Sequence, residues 1–299
     1  MNNLWLGYIF AIISSLFSAI YVVPKKLSKQ KPATYAMIMG AGFFVTSAAG
    51  FTLLRAFNYI DEPLFFPHAI LACINGVVWT VASISVLISI DKIGLAKSNQ
   101  WKSLQGPIGA FLILAFFAEF LTANVTFIIL AIIFITLAAM MFTTKEKHND
   151  SVDKSGIAYA LISALFYGIS ALIWKYLTDE GIYFAQQVFQ SLFVFISAAA
   201  YVLIKYKSFR IEAIIKKAEI VLPLVGGVLF FGNASFNLLA NKYIEASIAF
   251  MLHQLNAIWL LIFGVFVFKE IDYKKYWLRL TFGLALSIVG VLMLIFAKA

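Results

Sequence analysis

The chain has 299 residues, 63% of them hydrophobic and only 12% charged, about half the charged share of a soluble domain; most of its surface is built for lipid, which excludes a pair of soluble domains. The formal net charge is +9, yet the lysines and arginines sit in short connectors between apolar runs rather than on one basic face, which excludes nucleic acid as the partner. The single cysteine, Cys73, excludes an internal disulfide and a cysteine-based metal site.

A membrane-spanning helix needs about 20 apolar residues. In chain order such runs occur at 4–24, 33–57, 65–90, 96–118 and 125–142, and then at 156–176, 182–206, 220–240, 247–268 and 276–297. They are too long for barrel strands and lack their alternation, so the expected fold is an all-α membrane protein of ten transmembrane helices. The first run is followed by lysines rather than a small-residue cleavage site, so it is expected to stay in the protein.

Cytoplasmic connectors collect Lys and Arg. Here the connector after span one holds Lys25, Lys26, Lys29 and Lys31; after span three, Lys92; after five, Lys145, Lys147 and Lys154. Those after seven and nine hold Lys205, Lys207, Arg210, Lys216 and Lys217, and Lys269, Lys274, Lys275 and Arg279. The opposite side has only Arg55, Lys175, Lys242 and Lys298. This asymmetry predicts a multi-pass cell-membrane protein with both termini outside the cytoplasm. It also supports ten spans, since one helix more or fewer would scramble the alternation.

The two halves repeat. GYIFAIISSLFSAIYVVPKKL from Gly7 aligns with GIAYALISALFYGISALIWKYL from Gly156, so that Ser14, Leu16, Phe17 and Lys26 match Ser163, Leu165, Phe166 and Lys175. IGLAKSNQWKSLQGPIGAFLILAFFAEF from Ile93 aligns with YIEASIAFMLHQLNAIWLLIFGVFVFKEI from Tyr243, each ending near a glutamate, Glu119 and Glu270. An odd number of spans per half inverts the second half in the membrane. The expected organisation is a five-helix repeat at 1–144, a cytoplasmic linker at 145–155 and a second repeat at 156–299, with the solute site near the midplane between them.

With this repeat, span count and charge alternation, the chain resembles the drug/metabolite transporter superfamily over its full length. Within that superfamily INGVVW at 74–79, IGLAKSNQ at 93–100 and IEASIAFMLHQL at 244–255 look most like the glucose/ribose porter branch of sugar uptake proteins, with EamA-type exporters of amino acids and other metabolites second. The resemblance implies uptake of a sugar or related metabolite. Lys97 and Lys102 depart from it, standing where small or hydroxyl residues are expected.

Ionisable residues inside a bilayer are costly and mark solute paths. The carboxylates all fall in connectors or last turns, including Asp61, Glu62, Asp91, Asp179, Glu180 and Glu245. That argues against proton-coupled export of cations and for a neutral or anionic solute. Lys97, Lys102 and His253 remain inside. Ser98, Lys102, Gln105 and Gly109 step by four, three and four and so share one helix face; Ala249, His253, Asn256 and Leu260 repeat the steps. The repeat pairs Lys102 with His253 and Gln105 with Asn256, and these four form the core of the expected substrate site, with His253 and Lys102 as candidates for coupling transport to an ion. Asn75 and Trp79, with Ser83, lie at four-residue steps on span three, and Asn233 and Asn237 on span eight; they are expected to line the same cavity. Tyr21, Tyr167 and Trp174 would give it aromatic walls.

Each residue also has a structural reading. Lys97 can snorkel to the interface, single asparagines can tie helices together, and Tyr21, Tyr167 and Trp174 can be packing residues. Gly40, Gly42, Gly226, Gly227, Gly283 and Gly290 are expected at close helix crossings, and Gly106-Pro107 at a kink in span four.

An enzyme is not expected. A membrane enzyme acting on lipid or an isoprenoid carrier would need metal-ligand spacing or paired carboxylates, and neither occurs; a receptor would add a soluble domain. No Walker A string is present, so the energy source would be a gradient. The expected partners are a small-molecule solute and the lipid bilayer, no cofactor or metal is expected, and a homodimer is compatible with this composition.

Overall fold

The computed structural model describes residues 4–117, 124–141, 153–207, 218–268 and 273–296, and helix is the only regular structure among them. In chain order the helices are α1 (Leu4–Ile20), α2 (Val23–Leu27), α3 (Pro32–Ala56), α4 (Ala69–Ile93), α5 (Leu95–Lys102), α6 (Gln105–Phe117) and α7 (Val125–Met141). There follow α8 (Lys154–Asp179), α9 (Phe184–Tyr206), α10 (Ala218–Asn241), α11 (Ala246–Leu252), α12 (Asn256–Ile262) and α13 (Tyr273–Phe296). A 3-10 turn, His253–Leu255, joins α11 to α12, and the π-helical segment Phe263–Val267 extends α12.

Among the described residues these elements group into ten helical passages, in the places the apolar runs predict. Seven described stretches are long and apolar enough to cross a membrane: Leu4–Leu27, Pro32–Ala56, Ala69–Ile93, Lys154–Asp179, Phe184–Tyr206, Glu219–Asn241 and Ala246–Val267. Gln105–Phe117 and Val125–Ala138 are apolar but shorter. Glu119, Glu270, Lys145, Lys147, Arg210, Lys216, Lys217, Lys269 and Lys298 lie outside the described residues, as does the side chain of Lys97.

Three passages are broken. Proline lacks an N–H and its ring collides with the carbonyl four residues back. Pro24 therefore ends α1 at Ile20, and the chain turns through Tyr21 and Val22 before α2. Pro107 likewise cannot bond to Ser103, and the fourth passage breaks at Ser103–Leu104, between Lys102 and Gln105. The ninth tightens into its 3-10 turn at His253, the residue that the repeat pairs with Lys102.

The side chains are arranged for lipid outside and close approach inside. On α1, Gly7, Ala11, Ser14 and Ser18, at helical spacing, are buried, while Trp5, Leu6, Ile9 and Ile12 are exposed. Small residues let backbones meet in a bilayer. A Cβ added at Gly42 would come within 2.7 Å of the Leu224 carbonyl oxygen, and one at Gly227 within 2.3 Å of that of Met39, so α3 and α10 cross backbone to backbone. Gly40 meets the Phe195 backbone in the same way, whereas Gly290 meets the side chain of Ile135.

The helix pairs are α4 with α8 and α9, α1 with α10 and the α11–α12 passage, α6 with α8 and α11, α3 with α9 and α10, and α7 with α13. The main buried cluster lies centrally around Phe43, Trp79 and Phe230. At one end of the bundle the loop before α4 folds back over α9, where the Glu62 carboxylate accepts the N–H groups of Tyr183, Phe184 and Ala185 at 3.0, 2.8 and 2.9 Å. Burial pushes that carboxyl up, against the pull of these three donors. At the other end Lys25, predicted in a solvated connector, is buried; it donates to the Gln30 carbonyl and pairs with Asp91, both at 2.9 Å. A charge removed from water needs such partners.

Candidate functional site

The helix breaks converge. The turn at Tyr21, the break after Lys102 and the 3-10 turn at His253 all border one small cavity. Of the eleven predicted site residues, eight line it: Lys102, Gln105, His253, Trp79, Asn233, Tyr21, Tyr167 and Trp174. Three do not. Asn256 instead donates to Ser18 Oγ at 3.0 Å, tying α12 to α1, while Asn75 and Asn237 are buried elsewhere.

Lys102 is buried, and its Nζ lies 5.7 Å from the ring centre of Tyr21 and 5.4 Å from that of Tyr167. No carboxylate lines the cavity, so the aromatic faces are what attract the ammonium. Around it Tyr21 meets Phe230 edge-on at 5.1 Å, and Trp79 lies 4.3 Å from Phe230 and 5.9 Å from Tyr167. Trp174 is oriented by its indole N–H, which donates to Gln190 Oε1 on α9 at 2.7 Å.

His253 is held from two sides. Its ring stacks on Phe250 at 6.1 Å, and Nδ1 lies 3.0 Å from Ser14 Oγ. That hydroxyl also lies 3.0 Å from both the carbonyl oxygen and Oδ1 of Asn233. A hydroxyl has one proton, so the chain is satisfied when Nδ1–H donates to Ser14 and Ser14 donates to Asn233. In that tautomer Nε2 is an acceptor. Gln105 adds an amide whose Oε1 has no hydrogen-bond partner.

The sequence reading missed Ser14, Ser18, Ser170, Phe230 and Phe250. The three serines of α1 hold the ninth passage: Ser14 meets His253, Ser18 meets Asn256, and Ser15 accepts from Trp259 Nε1 at 3.0 Å. Their regular spacing was visible; their partners, more than 200 positions away, were not. Phe230 and Phe250 gave no signal against a background of 30 phenylalanines.

The cavity thus joins hydrogen-bonding groups to aromatic faces. The family model for sugar transport proteins matches residues 66–297. The chain belongs to the sugar transport protein family. This membership makes it a multi-pass membrane transporter rather than an enzyme, with a small-molecule solute as its partner. The chain matches none of the curated proteins. Among solved structures, 23 chains match; one, described simply as the crystal structure of a protein, is 11% identical with a TM-score of 0.69 over 99% of this chain and 98% of that one. At that identity the likeness to the solved structure is one of fold alone.

Proposed function

We propose that this protein is a secondary transporter of the drug/metabolite transporter superfamily, of the glucose/ribose porter type, that takes up a small sugar or sugar-derived acid by alternating access. The carrying observation is the placement of Lys102 and His253, at repeat-equivalent helix breaks, on the wall of one aromatic-lined cavity. Exchanging each passage for the one five later turns α4–α8 packing into α10–α1, α6–α8 into the α11–α12 passage with α1, and α3–α10 into α9–α4. This exchange supports two inverted halves, 1–144 and 156–299, rocking about the site. In this mechanism Trp79, Tyr21 and Tyr167 stack on the apolar face of the sugar ring, while Gln105, Asn233 and His253 bond its hydroxyls.

Lys102 favours an acidic sugar over a neutral one, because an ammonium without a carboxylate beside it gains most from an anion. His253 and Lys102 are the groups proposed to couple transport to a proton gradient. Thermal unfolding of the purified protein with glucose, ribose, gluconate, sugar phosphates, amino acids and amines tests the reading, since a ligand of the folded state raises its stability. A sugar or sugar acid should raise Tm, and Lys102→Ala and His253→Ala should abolish the rise. Stabilisation by amines alone, or unchanged responses in both variants, would rule the site out.

A further inference from the structure

Between the cavity and one face of the bundle lies a second polar layer. The N-termini of α4 and α9 and the C-termini of α8 and α10 meet at that face, on the side of the Glu62 loop. Trp79, Tyr167 and Phe230 of the cavity lie ten to twelve residues from those helix ends, roughly 15–18 Å at helical rise, while Trp174, at the cavity's edge, lies five from the end of α8 and reaches down to the layer. Asn75, Gln187, Gln190 and Asn237 lie only three to six residues from them, about 5–9 Å. A solute moving from the cavity to this face must pass their level.

Contacts across the helices join the level of Asn75, Gln187 and Gln190, which Asn237 shares by its position along α10. A Cβ at Gly76 would come within 2.4 Å of the Gln190 carbonyl oxygen, so α4 and α9 touch beside Asn75. Ser235 donates to Gln187 Oε1 at 3.2 Å, and Trp174 to Gln190 Oε1 at 2.7 Å, so α10 and α8 join at the same level. Asn75, Gln187, Gln190 and Asn237 are each at most 2% exposed. Yet both amide atoms of Asn75, the Nε2 atoms of Gln187 and Gln190, and Oδ1 of Asn237 have no hydrogen-bond partner. Buried polar atoms are nearly always paired, and each exception needs a reason.

We propose that this amide layer is a second binding station for the hydroxyl groups of the solute, collapsed in the present conformation and opened as the solute crosses to this face. The amide is suited to it, offering a donor and an acceptor to match those of each hydroxyl. The layer has no charged member, so it takes the neutral, polyhydroxyl part of the cargo. Its unpaired atoms disfavour the collapsed state and bind only when the path opens. The inference rests on the sugar-transport mechanism proposed above, but on different residues.

The test uses full-length protein in proteoliposomes. Asn75→Leu replaces an amide unpaired at both atoms, and Gln187→Met one whose Nε2 is unpaired and whose Oε1 accepts only the long Ser235 bond; both put apolar groups of similar size in place and should leave Tm unchanged or raised by a few degrees. They should keep sugar-induced stabilisation at the central cavity and slow transport at least tenfold. Transport at the parental rate, or a Tm lowered by more than about five degrees, would overturn the proposal, the latter by making the layer a structural network. A second readout needs no known cargo: Gln187→Cys in a Cys73→Ala background should react with a water-soluble thiol reagent applied from the Glu62-loop face. No reaction would show that the path does not open there. Reaction without transport of any sugar would leave the path standing and remove the sugar reading instead.

Discussion

At the scale of the residue, charge is placed where helices end. Asp153 caps α8, accepting the backbone N–H of Ser155 at 2.8 Å and of Gly156 at 3.3 Å and the Ser155 hydroxyl at 2.7 Å, with Lys92 at 3.4 Å. The Ser155 hydroxyl above all, with the backbone donors, holds this carboxyl down to about 2. A carboxyl whose pKa is lower folded than unfolded adds stability above the unfolded value, near 4, and loses it as pH falls through 2. Asp153→Ala should therefore unfold at lower temperature than the parent at pH 7, with the gap closing between pH 4 and pH 2. Thermal unfolding at pH 7, 4 and 2 checks this; a gap that is constant with pH would show that the cap acts through packing instead. The same rule is seen in Lys25, which leaves water only because Asp91 and the Gln30 carbonyl receive it, whereas Lys102 is buried against aromatic faces alone among its described contacts.

At the scale of the element, function depends on where helices fail. The break in the fourth passage separates Lys102 from Gln105 at the cavity wall, and Pro107 favours it by offering no N–H to the Ser103 carbonyl, which accepts from Gly106 at 3.1 Å instead. Pro107→Ala allows α5 and α6 to fuse, turning Lys102 relative to Gln105. Helical content by circular dichroism should hold or rise slightly while transport falls about tenfold or more; parental transport would mean that the break is dispensable. This kink was legible from Gly106-Pro107. The matching 3-10 turn in the ninth passage was not, because no proline stands there and its position shows only in the folded backbone.

At the scale of the whole molecule, many Ser, Asn and Gln side chains are buried inside the bundle while large apolar ones such as Trp5, Phe111 and Ile204 lie outside. The proposed orientation, with both termini outside the cytoplasm, is open to a direct check, because Cys73 is the only native cysteine and is buried. In a Cys73→Ala background, cysteine at the exposed Tyr59 position should react with an impermeant reagent in intact cells, and cysteine at Lys29 only after the membrane is opened; the reverse pattern would invert the topology. The positions of the helices and eight of the cavity residues could be read from the chain, because each depends on local hydrophobic length or on helical spacing. Which asparagines face solute and which tie helices could not. Asn233 and Asn237 sit one turn apart with the same local pattern, but one lines the cavity and the other lies in the amide layer, since helices distant in sequence decide what each side chain meets. The sequence alone determined where the long apolar helices lie, for which apolar length suffices; only tertiary packing decided which polar groups are left unpaired inside, because a hydrogen bond depends on the partner brought to it.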